Sequence, residues 1–550
     1  MNIKMKKLSS LEKVFLNNEP DAISGKIDAI FRNETHSYQI AYCHECSEGC
    51  HFEFAAIENS GSFPGKVRIR EVGNVPSLLP AYASFDEDYL TTKPGLFPDP
   101  LFEIDNNEIK LVPNQWRSIW IDLESQEDTP AGIYTVMIKL ISKDGNELGA
   151  IEETIEVLNA QLPKQDLICT EWMHYDCIGT HYRVDMLSEE HWKLIEQYVS
   201  AAVDHGVNML LTPLFTPPLD TKVGGERPTV QLVDVCLMNG EYSFDFTKLK
   251  RFIDMCQRLG IEYFEMSHLF TQWGAQHAPK IVAIVDGVQK QVFGWDTQAT
   301  GAEYKAFLDC FLPELTKTLK EWNIAEKCWF HISDEPNIKQ LDSYKAAQGI
   351  IDKHLEGFKI MDALSDLDFY KSGLVKNPVP ASNHIQPFID EKVQDLWVYY
   401  CCGQYLDVSN RFMAMPSHRN RILAVQLYKY DIIGFLHWGF NFWYTQYSIK
   451  PINPYAVTDA GCAFPSGDAF LVYPGEDGRP VESIRLKVFR EVFFDLRAMK
   501  LLEKLTSKDF VMGIIEEQSQ VNITFTDYPR DKQYISRMRN KINAEIKERL

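Results

Sequence analysis

Two carboxylates stand side by side at Asp334 and Glu335, in the run Trp329-Phe330-His331-Ile332-Ser333-Asp334-Glu335-Pro336. An acid pair can divide proton work: burial and crowding move the two pKa values apart, so one carboxyl keeps its proton while the other is charged. Acid-catalysed cleavage of a glycosidic bond needs that division. Pro336 cannot donate to a strand ladder, so the apolar run before it reads as a strand that ends where the acids begin. His331 and Ser333 alternate with Glu335 and are expected to face the same way, with His331 a buried neutral imidazole. A plainer role stays open at this point: Asp-Glu-Pro also suits the cap and first turn of a following helix.

Other strand-like runs end in residues of similar promise: Glu171-Trp172-Met173-His174-Tyr175, Ser267-His268 through Gln272-Trp273-Gly274, Trp397-Val398-Tyr399-Tyr400, and His437-Trp438-Gly439-Phe440-Asn441-Phe442-Trp443. Ring faces pack on the C–H faces of sugars, and a buried amide supplies directional hydrogen bonds. Trp172, His174, His268, Trp273, Tyr399, Trp438, Asn441 and Trp443 are therefore the candidate substrate contacts. Packing beneath loops is the alternative for each tryptophan. His174, His268, His331 and His437 could also gather a metal with the acids, although the expectation is no metal and no cofactor. Cys43, Cys46, Cys50 and His51 have soft-ligand spacing, yet no second CxxC pair accompanies them. There is no GxSxG elbow, HExxH, GxGxxG or Walker A sequence.

The elements that must position these residues divide the chain in three. Ser37–Cys43, His51–Ile57, Val67–Val72, Gln115–Leu123 and Gly132–Ser142 read as short strands between turns, predicting a β-sandwich over residues 1–162. From 163 to 510 strand-like runs alternate with helical ones. The strand runs are Leu167–Tyr175, Val207–Phe215, Ile261–Phe270, Cys328–Asp334, Phe358–Leu364, Val379–His384, Leu396–Cys401 and Ile432–Asn441. The helical runs are Glu189–His205, Phe246–Leu259, Ala302–Trp322, Leu341–Glu356, Ser409–Tyr430 and Ile484–Leu505. That alternation predicts a (β/α)8 TIM-type barrel, with a doubly wound open sheet as the alternative. Residues 511–550 are expected to form a strand/helix extension.

Lys+Arg number 56 against 77 Asp+Glu, a net charge of −21. That balance repels phosphate backbones, so no nucleic acid is expected. No run of about 20 apolar residues offers a membrane span, and Lys4, Lys6 and Lys7 are not followed by a signal-peptide core, so a cytoplasmic location is expected. The expected partner is a carbohydrate, with homo-oligomerisation left open.

Three stretches together resemble glycoside hydrolase family 123 and related barrel proteins: Trp329 to Pro336, Gly434-Phe435-Leu436-His437-Trp438-Gly439-Phe440-Asn441-Phe442-Trp443, and Gly467-Asp468-Ala469-Phe470-Leu471-Val472-Tyr473-Pro474-Gly475 continuing through Ser483-Ile484-Arg485-Leu486. The resemblance implies retaining hydrolysis of β-linked N-acetylgalactosamine, with the sugar's own acetamido oxygen attacking C1. It implies Glu335 as general acid and then base, and Asp334 as the residue that orients the acetamido group and stabilises the oxazolinium. At His437 the chain departs from the aromatic residue, often Tyr, usual before the second stretch. A same-fold glycosidase for another glycoside, a non-catalytic carbohydrate-binding protein and a metal-dependent hydrolase are the rival readings.

Overall fold

A computed structural model describes the chain apart from residues 1, 22–25, 48, 49 and 337. The first part is a sandwich of two five-stranded sheets. One sheet runs Asn2–Ser9, Thr35–Glu45, Trp116–Glu124, Lys66–Ser77 and Gly95–Glu103 in spatial order; the other runs Ala29–Arg32, Glu147–Gln161, Gly132–Ser142, Glu53–Gly61 and Glu108–Leu111. The period-2 pattern explains the core. Tyr38, Ile40, Tyr42, Ile119, Ile121 and Leu123 point inward from the first sheet and meet Val136, Ile138, Leu140, Ile155 and Val157 from the second. Asn2–Ser9, Ala29–Arg32, Gly95–Glu103, Glu108–Leu111 and Glu147–Gln161 are strands beyond those expected; several carry Lys, Glu or Pro that disguise the pattern.

The outer face of the first sheet is also covered. Val72, Leu101 and Trp120 pack on Ile484 and Val488 of the helix Ile484–Leu505. Asp122 on that face accepts from Ser37 at 2.6 Å, from Trp120 Nε1 at 2.8 Å and from Arg70, with Lys487 Nζ 3.0 Å away. Arg70 also pairs with Glu482. This buried charge cluster fastens sandwich to barrel, and deleting one member strands the others' charge.

The second part is the predicted barrel. Eight parallel strands follow one another around it: Ile168–Glu171, Met209–Thr212, Tyr263–Met266, Cys328–Phe330, Lys359–Ala363, Asn377–Val379, Trp397–Tyr399 and Gly434–His437. The seventh pairs with the eighth, and the eighth with the first. The ring closes between the sixth and seventh, where Tyr399 N donates to Pro380 O at 3.1 Å and Ser382 N to Tyr399 O at 2.8 Å. Trp329, Trp397, Met209, Leu211 and Met361 fill the interior. Gly434 is demanded there, because a Cβ would lie 2.1 Å from the Trp397 ring.

The sixth strand begins earlier than expected, at Asn377. The expected helix Ser409–Tyr430 is instead two short helices, His418–Arg421 and Leu423–Lys429. Pro416 lies just before them and Asn410 and Arg411 turn inward as buried polar residues. A four-stranded sheet drawn from Asp234–Met238, Glu241–Asp245, Ile281–Val285 and Val288–Phe293 lies outside the barrel. Beyond residue 510 no strand forms among the described residues. The helices Lys508–Gln518 and Tyr534–Lys547 do, burying Ile514, Ile515, Ile535, Met538, Ile542 and Ile546 at helical spacing. No helix among the described residues is long and apolar enough to cross a membrane. Of the soft-ligand candidates near the N-terminus, Cys46 and Cys50 form a disulfide, which takes two thiolates out of the zinc set.

Candidate active site

The C-terminal ends of the barrel strands open into a cavity of about 210 Å³. Its wall includes Asp334, Glu335, Trp172, Trp273, Tyr399 and Trp438, six of the ten residues expected to act together. It also includes Leu219, Asp220, Gln272, Tyr447, Cys401, Cys402 and Phe464. Typical ligand pockets measure roughly 300–1,000 Å³, so this cavity suits one ring rather than a chain.

The fourth strand leaves the ladder after Phe330, and the two acids sit on the turn beyond it. Glu335 N donates to Ala363 O of the fifth strand at 3.1 Å, and Trp273 N donates to Asp334 O at 2.9 Å. Glu335 has φ +44°, a left-handed conformation that a side chain adopts only when its surroundings impose it. This twist breaks the strand alternation and turns the side chain to the cavity mouth, where Glu335 stays open to solvent. Glu335 Oε1 accepts from Tyr399 O–H at 2.8 Å. The helix-cap role is not the one observed, since the next helical turn, Ile338–Gln340, begins three residues past Glu335 and runs on into the helix Leu341–Ile351.

Both acids are held above the ordinary carboxylate range. Burial is the first cause for Asp334, followed by the charge of Glu335; His331 beneath works the other way. Glu335 opens to solvent as a residue, but the protein crowded around its carboxyl desolvates it and raises it as well, against the Tyr399 hydrogen bond. The pair therefore titrates as a unit. Once Glu335 holds a proton, the repulsion it exerts on Asp334 disappears, leaving burial to oppose charge there and the His331 cation to favour it.

His331 is the main correction to the sequence reading. Its Nε2 lies 2.5 Å from Glu265 Oε1 and its Nδ1 3.0 Å from Asp362 Oδ1. Burial opposes the charge, but the two carboxylates outweigh it and hold the imidazolium up to about 10. His331 is thus a buried cation, not a neutral ring. Glu265 also accepts from Trp172 Nε1 and Thr170 Oγ1, each at 2.6 Å, and so fixes the indole on the cavity wall. Asp362 accepts from Ile332 N at 3.1 Å and from the Tyr344 hydroxyl. His268 stacks on His331 with ring centroids 4.3 Å apart, and burial then the His331 charge push it well below its usual value. His268, His331 and Asp362 bring ligand atoms within 4.8 Å of one another. Both His331 nitrogens are already committed to carboxylates, so the donor set is that of a charge ladder beneath Asp334 rather than a cation site.

The opposite wall is held differently. Trp438 Nε1 donates to Asp468 Oδ2 at 3.1 Å. Arg411 forms a buried bidentate pair with Glu171, at 2.6 and 3.1 Å, and its Nη2 lies 2.7 Å from His437 Nδ1. With Nδ1 accepting, neutral His437 carries its proton on Nε2, which faces Asp468 Oδ1 at 3.5 Å. Burial raises Asp468 to about 7. It also raises Asp220, on the cavity wall, to about 6.

The remaining four expected contacts are not on this wall. His174 Nε2 meets Trp438 O at 2.9 Å and Nδ1 meets Arg227 at 3.1 Å, and burial followed by the Arg227 charge brings it down to about 3. Asn441 gives both ends of its amide to the His174 backbone, accepting at 2.8 Å and donating at 3.1 Å. Its hydrogen-bonding needs are met inside the protein. After Asn441 the chain turns back, and Trp443 packs on Tyr198 and His181 with Nε1 donating to Val472 O. His268 lies under the floor. These residues brace the loops that form the wall.

Glu265, Asp362, Asp220, Asp468 and Tyr447 were missed. Glu265 and Asp362 did leave a signal: each is one acid inside an apolar barrel strand, Glu265 at a position whose parity faces the barrel interior and Asp362 at the opposite parity, between the interior residues Met361 and Ala363. Asp220 and Tyr447 lie in loops without periodicity, and only the folded chain brings them to the cavity.

The structure is thus a parallel eight-stranded barrel with paired acids at its C-terminal mouth. The profile for the glycoside hydrolase 123 catalytic domain matches residues 172–502, and the chain belongs to glycoside hydrolase family 123. A family 123 glycoside hydrolase from Clostridium perfringens has the same fold: 16% identity, TM-score 0.77, covering 100% of this chain and 99% of that one. Slighter likenesses cover 29% of the chain each. They are the N-terminal domain of PorA (7% identity, 100% of that chain, TM-score 0.14) and a type I cohesin from Pseudobacteroides cellulosolvens (13% identity, 96% of that chain, TM-score 0.15). No curated protein sequence matches the chain.

Proposed function

We propose that this glycosidase releases terminal β-linked N-acetylgalactosamine with retention of configuration, by substrate assistance. The sugar's 2-acetamido oxygen attacks C1 as the glycosidic bond breaks. Glu335 gives its proton to the leaving oxygen. Asp334, charged while Glu335 is protonated, accepts from the acetamido N–H and stabilises the positive oxazolinium that forms. Glu335, now anionic, then takes a proton from the water that opens the oxazolinium at C1 and is returned to its starting state. Trp172, Tyr399 and Trp438 would enclose the ring, and Trp273 would meet it at the rim.

The observation that carries this reading is the pairing of the acids on one strand end in a one-ring cavity. Glu335 is open to the mouth and Asp334 lies over the His331 cation. Family membership supports glycoside cleavage, and the Clostridium perfringens relative is linked to glycolipid glycan hydrolysis. The test compares aryl β-N-acetylgalactosaminide with aryl β-galactoside for wild type and Glu335→Gln. Cleavage of only the N-acetyl compound is expected. The variant should lose most activity on poor leaving groups and less on activated aryl ones, which need little proton donation. Equal cleavage of both sugars would reject substrate assistance.

A further inference from the structure

Cys401 and Cys402 are neighbours in the chain, and both line the cavity at the barrel mouth. Adjacent residues of a strand point to opposite faces. Here the seventh barrel strand has already ended at Tyr399. Residues 401–404 close a turn in which Gln404 N donates to Cys401 O at 3.1 Å. Leaving the pleat brings both sulfurs to one wall. Both are free thiols, partly exposed, and the proposed reaction uses neither.

The turn is braced from beneath. Buried Asn410 Nδ2 donates to Cys401 O at 2.9 Å and to Gln404 O at 2.7 Å. Gln404 Oε1 accepts from Cys401 N at 2.9 Å and from the Cys401 thiol at 3.3 Å. Gly403 N points back and donates to Cys401 Sγ at 3.5 Å. A backbone N–H aimed at sulfur favours negative charge there, and a thiol coordinated to a soft centre is deprotonated. With nothing bound, the Cys402 thiol and then burial hold the Cys401 thiol well above its usual value. Attack by a single sulfur is therefore slow. A centre that takes both sulfurs at once gains two bonds from one preformed turn.

Geometry also separates the ways of joining the pair. Adjacent Cα atoms lie about 3.8 Å apart across a trans peptide, whereas an unstrained disulfide needs roughly 4.4–6.8 Å. A bridging atom lengthens the link and removes that strain.

We propose that Cys401 and Cys402 form a dithiol site for a thiophilic centre, a trivalent arsenical or a two-coordinate soft cation, whose capture closes the cavity. With an arsenoxide, two As–S bonds form, the bonds from arsenic to oxygen break, and the two thiol protons leave with that oxygen as water. Nothing is oxidised or reduced. A cavity of about 150 Å³ accommodates benzene, so the phenyl group of a phenyl arsenical fills most of the about 210 Å³ here. Loss of turnover on capture rests on the proposed reaction taking place in this cavity; the capture itself does not.

The test treats wild type, Cys401→Ser and Cys402→Ser with phenylarsine oxide. It reads the mass of the intact chain and the turnover of an aryl β-N-acetylgalactosaminide, each protein scaled to its own untreated rate. Wild type should gain one phenylarsenic group and lose turnover. Both changes should be reversed by 2,3-dimercaptopropanol and not by a monothiol at the same thiol concentration. Each serine variant should take up no stable adduct and keep its scaled turnover. No adduct on wild type, or the same adduct on the variants, overturns the dithiol site. An adduct confined to the pair with turnover intact overturns the closure and places catalysis outside this cavity. If untreated wild type cleaves no glycoside, the proposed reaction fails, and the mass alone still decides the site.

Discussion

Replacing Tyr399 by Phe removes one atom from the site and isolates one interaction. The hydroxyl donates to Glu335 Oε1 at 2.8 Å and favours the charged carboxylate, against the burial that raises it. A hydrogen bond to a charged group is worth about 1.5–3 kcal/mol. Part of that survives when the carboxyl is protonated, so a differential of about 1.4 kcal/mol, or about one pH unit, is the expected loss. The sign follows from the role. Glu335 acts as an acid, so the active enzyme is protonated and kcat/KM falls as pH rises through the pair's upper titration. Without the hydroxyl, Glu335 keeps its proton to higher pH. The alkaline limb of kcat/KM should therefore move upward by about one unit, whatever happens to the plateau. The midpoint is the discriminating quantity, because loss of a sugar contact lowers the plateau alone. A midpoint that stays put, or moves down, would refute Glu335 as the acid whose proton Tyr399 opposes.

Asp334→Asn should lower activity by on the order of 10²–10⁴-fold on activated and unactivated glycosides alike; retained activity in either series would count against acetamido orientation. His331→Gln should destabilise the barrel by about 3–5 kcal/mol, because Glu265 and Asp362 lose their shared cation. In wild type the same cation gives a pH signature. The folded value of about 10 exceeds the ordinary 6.5, so its stabilisation is complete below 6.5 and is lost as pH rises through 10. Thermal unfolding across that range should show the decline in wild type and a flatter profile in the variant. Asp468→Ala should leave Trp438 Nε1 without its acceptor and raise KM by up to about ten-fold, with Asp468→Asn largely restoring it; matching behaviour of the two would show that the hydrogen bond does not hold the indole.

The sequence revealed the barrel because a parallel strand is buried on both faces and reads as an unbroken apolar run, while each intervening helix shows its own period. The acid pair was legible because it stands between an apolar run and Pro336, although the strand itself ends earlier, at Phe330. Sandwich strands such as Asn2–Ser9 and Glu147–Gln161 were hidden, since lysines and glutamates on one face blur the alternation. Strand ends also mislead about direction. Asn441 and Trp443 lie six or fewer residues past strand eight, but the backbone bridge from Asn441 to Phe470 turns them inward to packing roles. The charge on His331 could not be read from its neighbours in sequence, because Glu265 and Asp362 come from two other strands.

The central question for this enzyme is whether the substrate's own acetamido oxygen is the nucleophile. Fluorination of the N-acetyl methyl group withdraws electrons from that oxygen step by step without changing the ring or the leaving group. Measuring kcat/KM for the acetamido, fluoroacetamido, difluoroacetamido and trifluoroacetamido aryl β-galactosaminides tests it. A steep, progressive loss across the series is predicted; equal rates across the four would contradict substrate assistance and assign the displacement to a carboxylate of the protein.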